Sequence, residues 1–163
     1  MEYHSVAKQI TDLLQRNNCW FQIFEHAPVR TSEEASRLRP GFTLHQGTKA
    51  LIVKTGGPQK EKKFAMLVFP ADLKFDAKKV KGIMGARDLS FATEKEIASI
   101  SGGVQIGGVP PFGNLFNLDV LADESLFANE KIIFNAGDRR FSVAMKSEDY
   151  RKLVKPRIER FAA

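Results

Sequence analysis

Cysteine is nearly missing from this chain: among 163 residues there is one, Cys19. A single thiol excludes an internal disulfide and any metal site built on a cysteine pair. Histidine is scarce as well, and His4, His26 and His45 include no pair at the i, i+4 spacing that sets two ligands on one helix face, so neither a metal nor another cofactor is expected. No stretch reaches the roughly 18–20 uncharged apolar residues needed to cross a bilayer. The opening Met1-Glu2-Tyr3-His4-Ser5 has no basic end feeding an apolar run, so a cytoplasmic protein without membrane association is expected. Neither Gly-x-Ser-x-Gly nor a P-loop occurs, which removes serine-hydrolase and NTPase readings. There is no RNP-type aromatic motif, no Cys/His finger and no long basic helix. A nucleic acid bound here would be held by its backbone and one end rather than read base by base.

What is present describes a folded domain. The chain is 43% hydrophobic and 27% charged with 13 phenylalanines, enough apolar material for a core. Its length fits one domain spanning residues 1–163. Lysine and arginine number 25 against 19 acidic residues, a net charge of +6. The excess gathers at Lys54, Lys60, Lys62 and Lys63, at Lys78, Lys79 and Lys81, and in the tail at Arg151, Lys152, Lys155, Arg157 and Arg160. Such clusters are either solvated faces or a grip on a polyanion, since cations set against phosphates release condensed counterions.

Periodicity predicts an amphipathic helix over Ser5–Leu14, stopped by Asn17-Asn18, and an aromatic strand over Cys19–Glu25 that ends before Pro28. Thr31 with Glu34 has capping-box spacing and opens a short helix to about Leu38, closed by Pro40-Gly41. Ala50–Val53 and Phe64–Phe69 read as a hairpin with a lysine-rich connection, and Asp76–Met84 as a helix. A short strand follows at Leu89–Ala92, then a helix Thr93–Ser101 with a second capping box. Strands are expected at Leu115–Leu121, Lys131–Phe134 and Phe141–Met145, with Asn135-Ala136-Gly137-Asp138 as a turn. Ser147 is expected to cap a last helix reaching Val154, ended by Pro156. Five to seven strands among three or four helices predict an α/β (α+β) domain: a mixed, mostly antiparallel sheet flanked by helices.

Nucleophilic catalysis has little support, since Cys19 sits in an aromatic strand where a buried, inert thiol is the ordinary state. His26, at a strand end, reads locally as a structural histidine. Lys49 stands at the mouth of the apolar run Ala50–Val53 behind Gly47-Thr48, so its ammonium emerges at a sheet edge, either as a solvated charge or as a functional one. Between Gly102 and Gly113 the chain carries clustered glycines and Pro110-Pro111. That segment is either a tight structural turn or a backbone whose N–H groups hold a carbonyl or developing oxyanion.

The segments Glu25–Ala35, Gly47–Lys54, Val104–Gly113 and Asn135–Arg139, in that order, resemble the YbaK/prolyl-tRNA synthetase editing-domain family over about Ser5 to Val154. The resemblance implies a metal-independent aminoacyl-tRNA deacylase that hydrolyses the ester of a wrong amino acid, with alanyl- or cysteinyl-tRNA(Pro) as the expected substrate. It implies Lys49 beside the scissile ester and terminal adenosine, with Gly107 and Gly108 in a catalytic backbone loop. It places the substrate pocket at His26, Thr31, Val109, Pro111, Phe112, Asn135, Gly137 and Asp138, and assigns the activation or orientation of water to a vicinal ribose hydroxyl. Asn135 stands where the alanine-specific branch carries a histidine, and Ala136-Gly137-Asp138-Arg139 is closer to the cysteine branch. The implied partners are the 3′ end of aminoacylated tRNA and prolyl-tRNA synthetase, met in trans or as a fused parent. The rival reading is a noncatalytic module that binds tRNA or a synthetase through the same basic face.

Overall fold

The computed structural model describes residues 2–28, 31–57 and 60–163, which form two sheets and five α-helices. Helix α1 (Ser5–Arg16) turns Val6, Ala7, Ile10 and Leu14 inward, and His4 caps it by accepting the Val6 N–H. Strand β1 (Phe21–Glu25) follows, then the six-residue helix α2 (Ser32–Arg37), capped by the Thr31 side chain on the Glu34 N–H. The long hairpin of β2 (Thr48–Gly57) and β3 (Lys60–Pro70) comes next, then α3 (Ala77–Met84), β4 (Asp88–Phe91) and α4 (Glu94–Ser101). Thr93 and Glu96 form a complete capping box at α4, so the spacing read from sequence corresponds to two reciprocal hydrogen bonds. The chain closes with β5 (Asp119–Asp123), β6 (Lys131–Asp138), β7 (Phe141–Lys146), α5 (Ser147–Val154) and β8 (Arg157–Glu159).

The domain is α+β, and its strands divide between a three-stranded antiparallel sheet, β1-β7-β6, and a mixed five-stranded sheet, β4-β2-β3-β5-β8. Four of the six pairings are antiparallel; β3–β5 and β5–β8 are parallel. Both sheets contribute to one apolar cluster, with Ile52, Met66 and Val68 from the larger and Ile132, Phe134 and Val143 from the smaller, closed by α1, α4 and α5. The opposite parity of the large sheet (Val53, Leu67, Phe69) packs on Val80 of α3 and on Phe161 near the C-terminus. A residue's place along β2 therefore decides which of two cores it joins. Among the described residues, no helix is long and apolar enough to cross a membrane.

The structure departs from the sequence expectations in four places. The strand expected from Leu115 starts only at Asp119, because Gly113–Phe116 form a 3-10 turn; a Cβ on Gly113 would lie 2.6 Å from Val120 Cγ2, so the chain folds back on itself there. The turn expected at Asn135–Asp138 is instead the end of β6. Ala136 and Gly137, the latter at φ +97°, are the two unpaired residues of a bulge between Asn135 and Asp138, and the hairpin turns at Arg139-Arg140. Ser147 does not cap α5 through its side chain, because its hydroxyl donates to the Asn129 carbonyl and the N-cap is Lys146. Beyond Pro156 the chain adds β8, unforeseen because three residues carry no periodicity.

Candidate active site

Strand β4 covers only part of β2. Its pairing runs from Val53 to Gly56, and the last bond on that side is Ala92 N–H to the Ile52 carbonyl, 3.0 Å. Peptide groups alternate sides along a strand, so those of Ala50 face the same side as those of Ile52 but lie beyond the reach of β4. The open edge is one wall of a cavity of about 460 Å³, a size suited to a small ligand. The facing walls are Thr31, Ala35, Ser36 and Arg39 from the α2 segment, Ile106, Gly107 and Val109 from the glycine-rich loop, and Asn135 and Arg139 from the β6–β7 hairpin. Phe91, 61% exposed, stands at the rim with its ring edge-on to Phe75.

Five of the residues assigned from sequence line this cavity together: Lys49, Gly107, Thr31, Val109 and Asn135. Gly108 lies just behind, its N–H bonded to the Gln105 carbonyl and its own carbonyl taking the Gly137 N–H at 2.7 Å. Its Cβ would come within 3.3 Å of backbone atoms of Gly137 and Asp138, so the glycine permits a close backbone contact. Pro111 and Phe112 are buried away from the cavity. The Pro111 carbonyl accepts the Tyr150 hydroxyl, and the Phe112 ring packs against Phe134 and Tyr150. Asp138 is occupied by Arg140, whose hydrogen bond holds its carboxyl below the usual carboxylate range against the opposing effect of burial. His26 also stands outside the cavity wall, with Nδ1 at the Ala27 carbonyl and Nε2 at Ser142 Oγ, both 2.8 Å.

Sequence reading missed the group these residues surround. Thr31, Ala35 and Arg39 lie four apart and all line the cavity, but the alanine between the two polar residues leaves no i, i+4 polar pair, so the sequence carried no local signal for Arg39. Arg39 is only 6% exposed. Its Nε donates to Ser142 Oγ at 3.0 Å and its Nη2 to Asn135 Oδ1 at 2.7 Å. Burial lowers its pKa to about 10, so it keeps its charge at neutral pH. Asn135 then donates through Nδ2 to the Gly107 carbonyl at 2.7 Å, and Arg139 Nε to the Ile106 carbonyl at 2.7 Å. The two side chains fasten the loop to the hairpin.

The cavity's charge is of one sign. Lys49, Arg39 and Arg139 line it, and no aspartate or glutamate does so among the described residues. Lys49 Nζ has neither a hydrogen-bond acceptor nor an ion-pair partner among those residues, whereas Lys54 on the same strand is held by Glu96 at 3.0 Å. The hydroxyls on the wall are engaged without a base: Thr31 with the Glu34 N–H, Ser36 with the Glu33 carbonyl, Thr43 with Gln46, Thr48 with the Gln46 carbonyl. Cys19 lies elsewhere, packed on the main core, with its thiol pKa raised by burial. Such a site can bind and polarise an acyl ester next to a phosphate by position and charge, without supplying a side-chain nucleophile.

Comparison with known proteins gives the same class of chemistry. The family described as aminoacyl-tRNA editing domain matches residues 26–153. The Multifunctional Ser/Thr-tRNA deacylase ProXp-y of Escherichia coli K12 is 30% identical over 155 residues, 94% of this chain and 91% of that protein. The Prolyl-tRNA editing protein ProX of Acetoanaerobium sticklandii is 26% identical over 147 residues, 88% and 87% of the two chains. A solved structure described as a candidate trans-editing enzyme for prolyl tRNA synthetase superposes with a TM-score of 0.81 at 20% identity, covering 99% of each chain. This chain belongs to the aminoacyl-tRNA editing domain family and is by class an aminoacyl-tRNA deacylase.

Proposed function

We propose that the ester cleaved joins a small amino acid to the 3′ end of a mischarged tRNA: alanine or cysteine on tRNA(Pro), as the sequence resemblance implies, with serine and threonine added by the Escherichia coli relative named for them. The proposed setting is the cytoplasm, beside prolyl-tRNA synthetase or as part of it. The observation that carries the reading is Lys49, whose ammonium has no partner among the described residues and stands on the wall of a small cavity that none of their carboxylates lines. An ester carbonyl placed there gains most from that charge as it becomes an oxyanion. Gly107 N–H, which bonds to no other backbone group among the described residues, is a second candidate donor. The exposed ring of Phe91 at the rim offers a face on which a terminal base could stack.

The need for such an activity is physical. A synthetase pocket shaped for a ring-sized apolar side chain rejects smaller amino acids only weakly, and a hydrolytic second site completes the sieve. The test is a deacylation screen of the purified protein on a panel of tRNAs charged with small and large amino acids. Release of small amino acids with multiple turnovers supports the reading. Tight tRNA binding without turnover on any member would replace it with the noncatalytic module.

A further inference from the structure

A buried arginine ordinarily meets a carboxylate, because an uncompensated charge in a protein interior is expensive. Arg39 does not. Its two engaged nitrogens donate to neutral oxygens, Oγ of Ser142 and Oδ1 of Asn135. Its third nitrogen, Nη1, has no hydrogen-bond partner among the described residues, although no side-chain polar atom there is both sealed from solvent and unsatisfied. Nη1 therefore opens onto the cavity that Arg39 lines. Gly47, which lines the same cavity, stands beside it: a Cβ there would touch Nη1 at 3.8 Å, though its tight contacts would be the Leu44 carbonyl at 3.0 Å and Ala71 Cβ at 3.2 Å.

Depth assigns this donor its target. Arg39 is 6% exposed and Lys49 only half-buried, so a substrate entering with its aminoacyl end leading meets Lys49 nearer the mouth and Arg39 further in. With the ester at Lys49, the part of the substrate that travels beyond it is the amino-acid side chain. We infer that Arg39 is the specificity-determining residue of the aminoacyl pocket, donating one hydrogen bond from Nη1 to a side-chain hydroxyl, so that the site selects serine and threonine over alanine and valine. The inference rests on the deacylase reading above and adds the group that reads the amino acid.

The geometry also argues against an acidic amino acid. Guanidinium prefers carboxylates because it can grip both oxygens with two parallel N–H groups, and here Nε and Nη2 are already committed. A single remaining arm suits a single oxygen. An aliphatic side chain in the same place would leave that arm buried and unpaired, which is how a polar site rejects an apolar isostere.

The experiment uses the intact protein and one tRNA acylated in turn with serine, alanine, threonine, valine and aspartate. Wild-type kcat/KM is expected to favour serine over alanine, and threonine over its isostere valine, by about 10- to 100-fold, the effect of one charge-assisted hydrogen bond. Arg39→Met should collapse both ratios toward unity whatever its absolute rate, a change that mere loosening of the fold would not produce. Should Arg39→Met fail to fold, the wild-type threonine-to-valine ratio still decides. Equal wild-type rates on threonine and valine overturn the role of Arg39 while leaving the deacylase intact, and faster release of aspartate than serine overturns the single-oxygen assignment. Inactivity toward all five esters would instead strike the deacylase reading itself.

Discussion

Arg39 and Asn135 are 96 residues apart in sequence and 2.7 Å apart through Nη2 and Oδ1. The same asparagine donates to the Gly107 carbonyl, so one amide ties the buried cation to the glycine-rich loop. Asn135→Ala would at once strand a guanidinium N–H and remove one of the loop's ties to the hairpin, leaving those from Arg139 and Gly137. It should lower stability by about 1–3 kcal/mol, the cost of an unpaired buried donor, and lower deacylation further than the stability loss explains. Ser142→Ala removes the Nε partner but no loop contact. Urea unfolding alongside single-turnover rates should show Asn135→Ala slower than Ser142→Ala at comparable stability, and equal rates would detach the loop from the site.

Lys49 gives the opposite pattern. Among the described residues it has no partner to orphan, so Lys49→Ala should leave the melting temperature within about 2 °C, as for other changes without a structural mechanism. The rate of ester hydrolysis should fall on the order of 100-fold, the scale for losing one electrostatic stabiliser. Wild-type turnover by folded Lys49→Ala would remove this lysine from the chemistry.

Two glycines with positive φ should separate function from folding. Gly107 sits at φ +86°, and its Cβ would lie 3.1 Å from Arg139 Nε, the atom that pins the loop to the Ile106 carbonyl. Gly137 sits at φ +97°, and its Cβ would press to 2.4 Å from Val6 Cγ1 on α1. Both substitutions carry the cost of a left-handed alanine, about 1–2 kcal/mol. Gly137→Ala adds a clash inside the main core and should be the less stable of the two by thermal melting. Gly107→Ala should be the slower enzyme per folded molecule, and a reversal of that order would mean that the loop's backbone placement does not matter for hydrolysis.

How far this site could be read from sequence depended on whether its signals were local. Lys49 at the start of an apolar run, and the glycines and prolines between Gly102 and Gly113, announce themselves within a dozen residues. Arg39 does not. Between Leu38 and Pro40-Gly41 it looks like a surface charge at a helix end, and its partner Ser142 is 103 positions away. Asn135-Ala136-Gly137-Asp138 has the composition of a turn, but glycine serves a bulge as well as a turn, and only the pairing of β6 with β7 chooses between them. Pro111 and Phe112 share the loop's motif yet supply its buried footing, a difference that depends on Tyr150 in α5.

Substrate affinity should depend steeply on salt if the basic surface grips the tRNA backbone. Lys62 and Lys63 on the β2–β3 hairpin and Lys78 and Lys79 on α3 are exposed, whereas Lys54 is committed to Glu96 and Arg160 to Glu124. Log affinity against log salt should fall with a slope close to the number of phosphates contacted, and reversing the charges of Lys62 and Lys63 should flatten it. A wild-type slope near zero would make these lysines an ordinary solvated surface and leave recognition to the aminoacyl end.

The C-terminal segment predicts how the fold responds to acid. Asp123 at the end of β5 is 3% exposed, and its Oδ1 accepts the N–H groups of Phe161 and Ala162 at 2.8 and 2.9 Å, while Oδ2 takes the Ser125 N–H and hydroxyl. Burial alone would raise this carboxyl's pKa, but the donors outweigh it and hold the pKa below the ordinary carboxylate value. A carboxyl depressed in the folded state stabilises that state at pH values above its unfolded pKa, about 3.9, and loses the contribution as pH falls through the folded value. Asp123→Asn substitutes a donor where Oδ2 accepted, so it should cost about 1–3 kcal/mol at neutral pH, with Phe161 and the second core loosening first. That difference from wild type should hold from pH 7 down to about pH 5 and then shrink toward pH 2 as the wild-type carboxyl protonates. Urea unfolding of both proteins across this range tests the assignment. A gap that stays constant to pH 2 would mean that the anchoring of the C-terminus does not depend on the charge of Asp123.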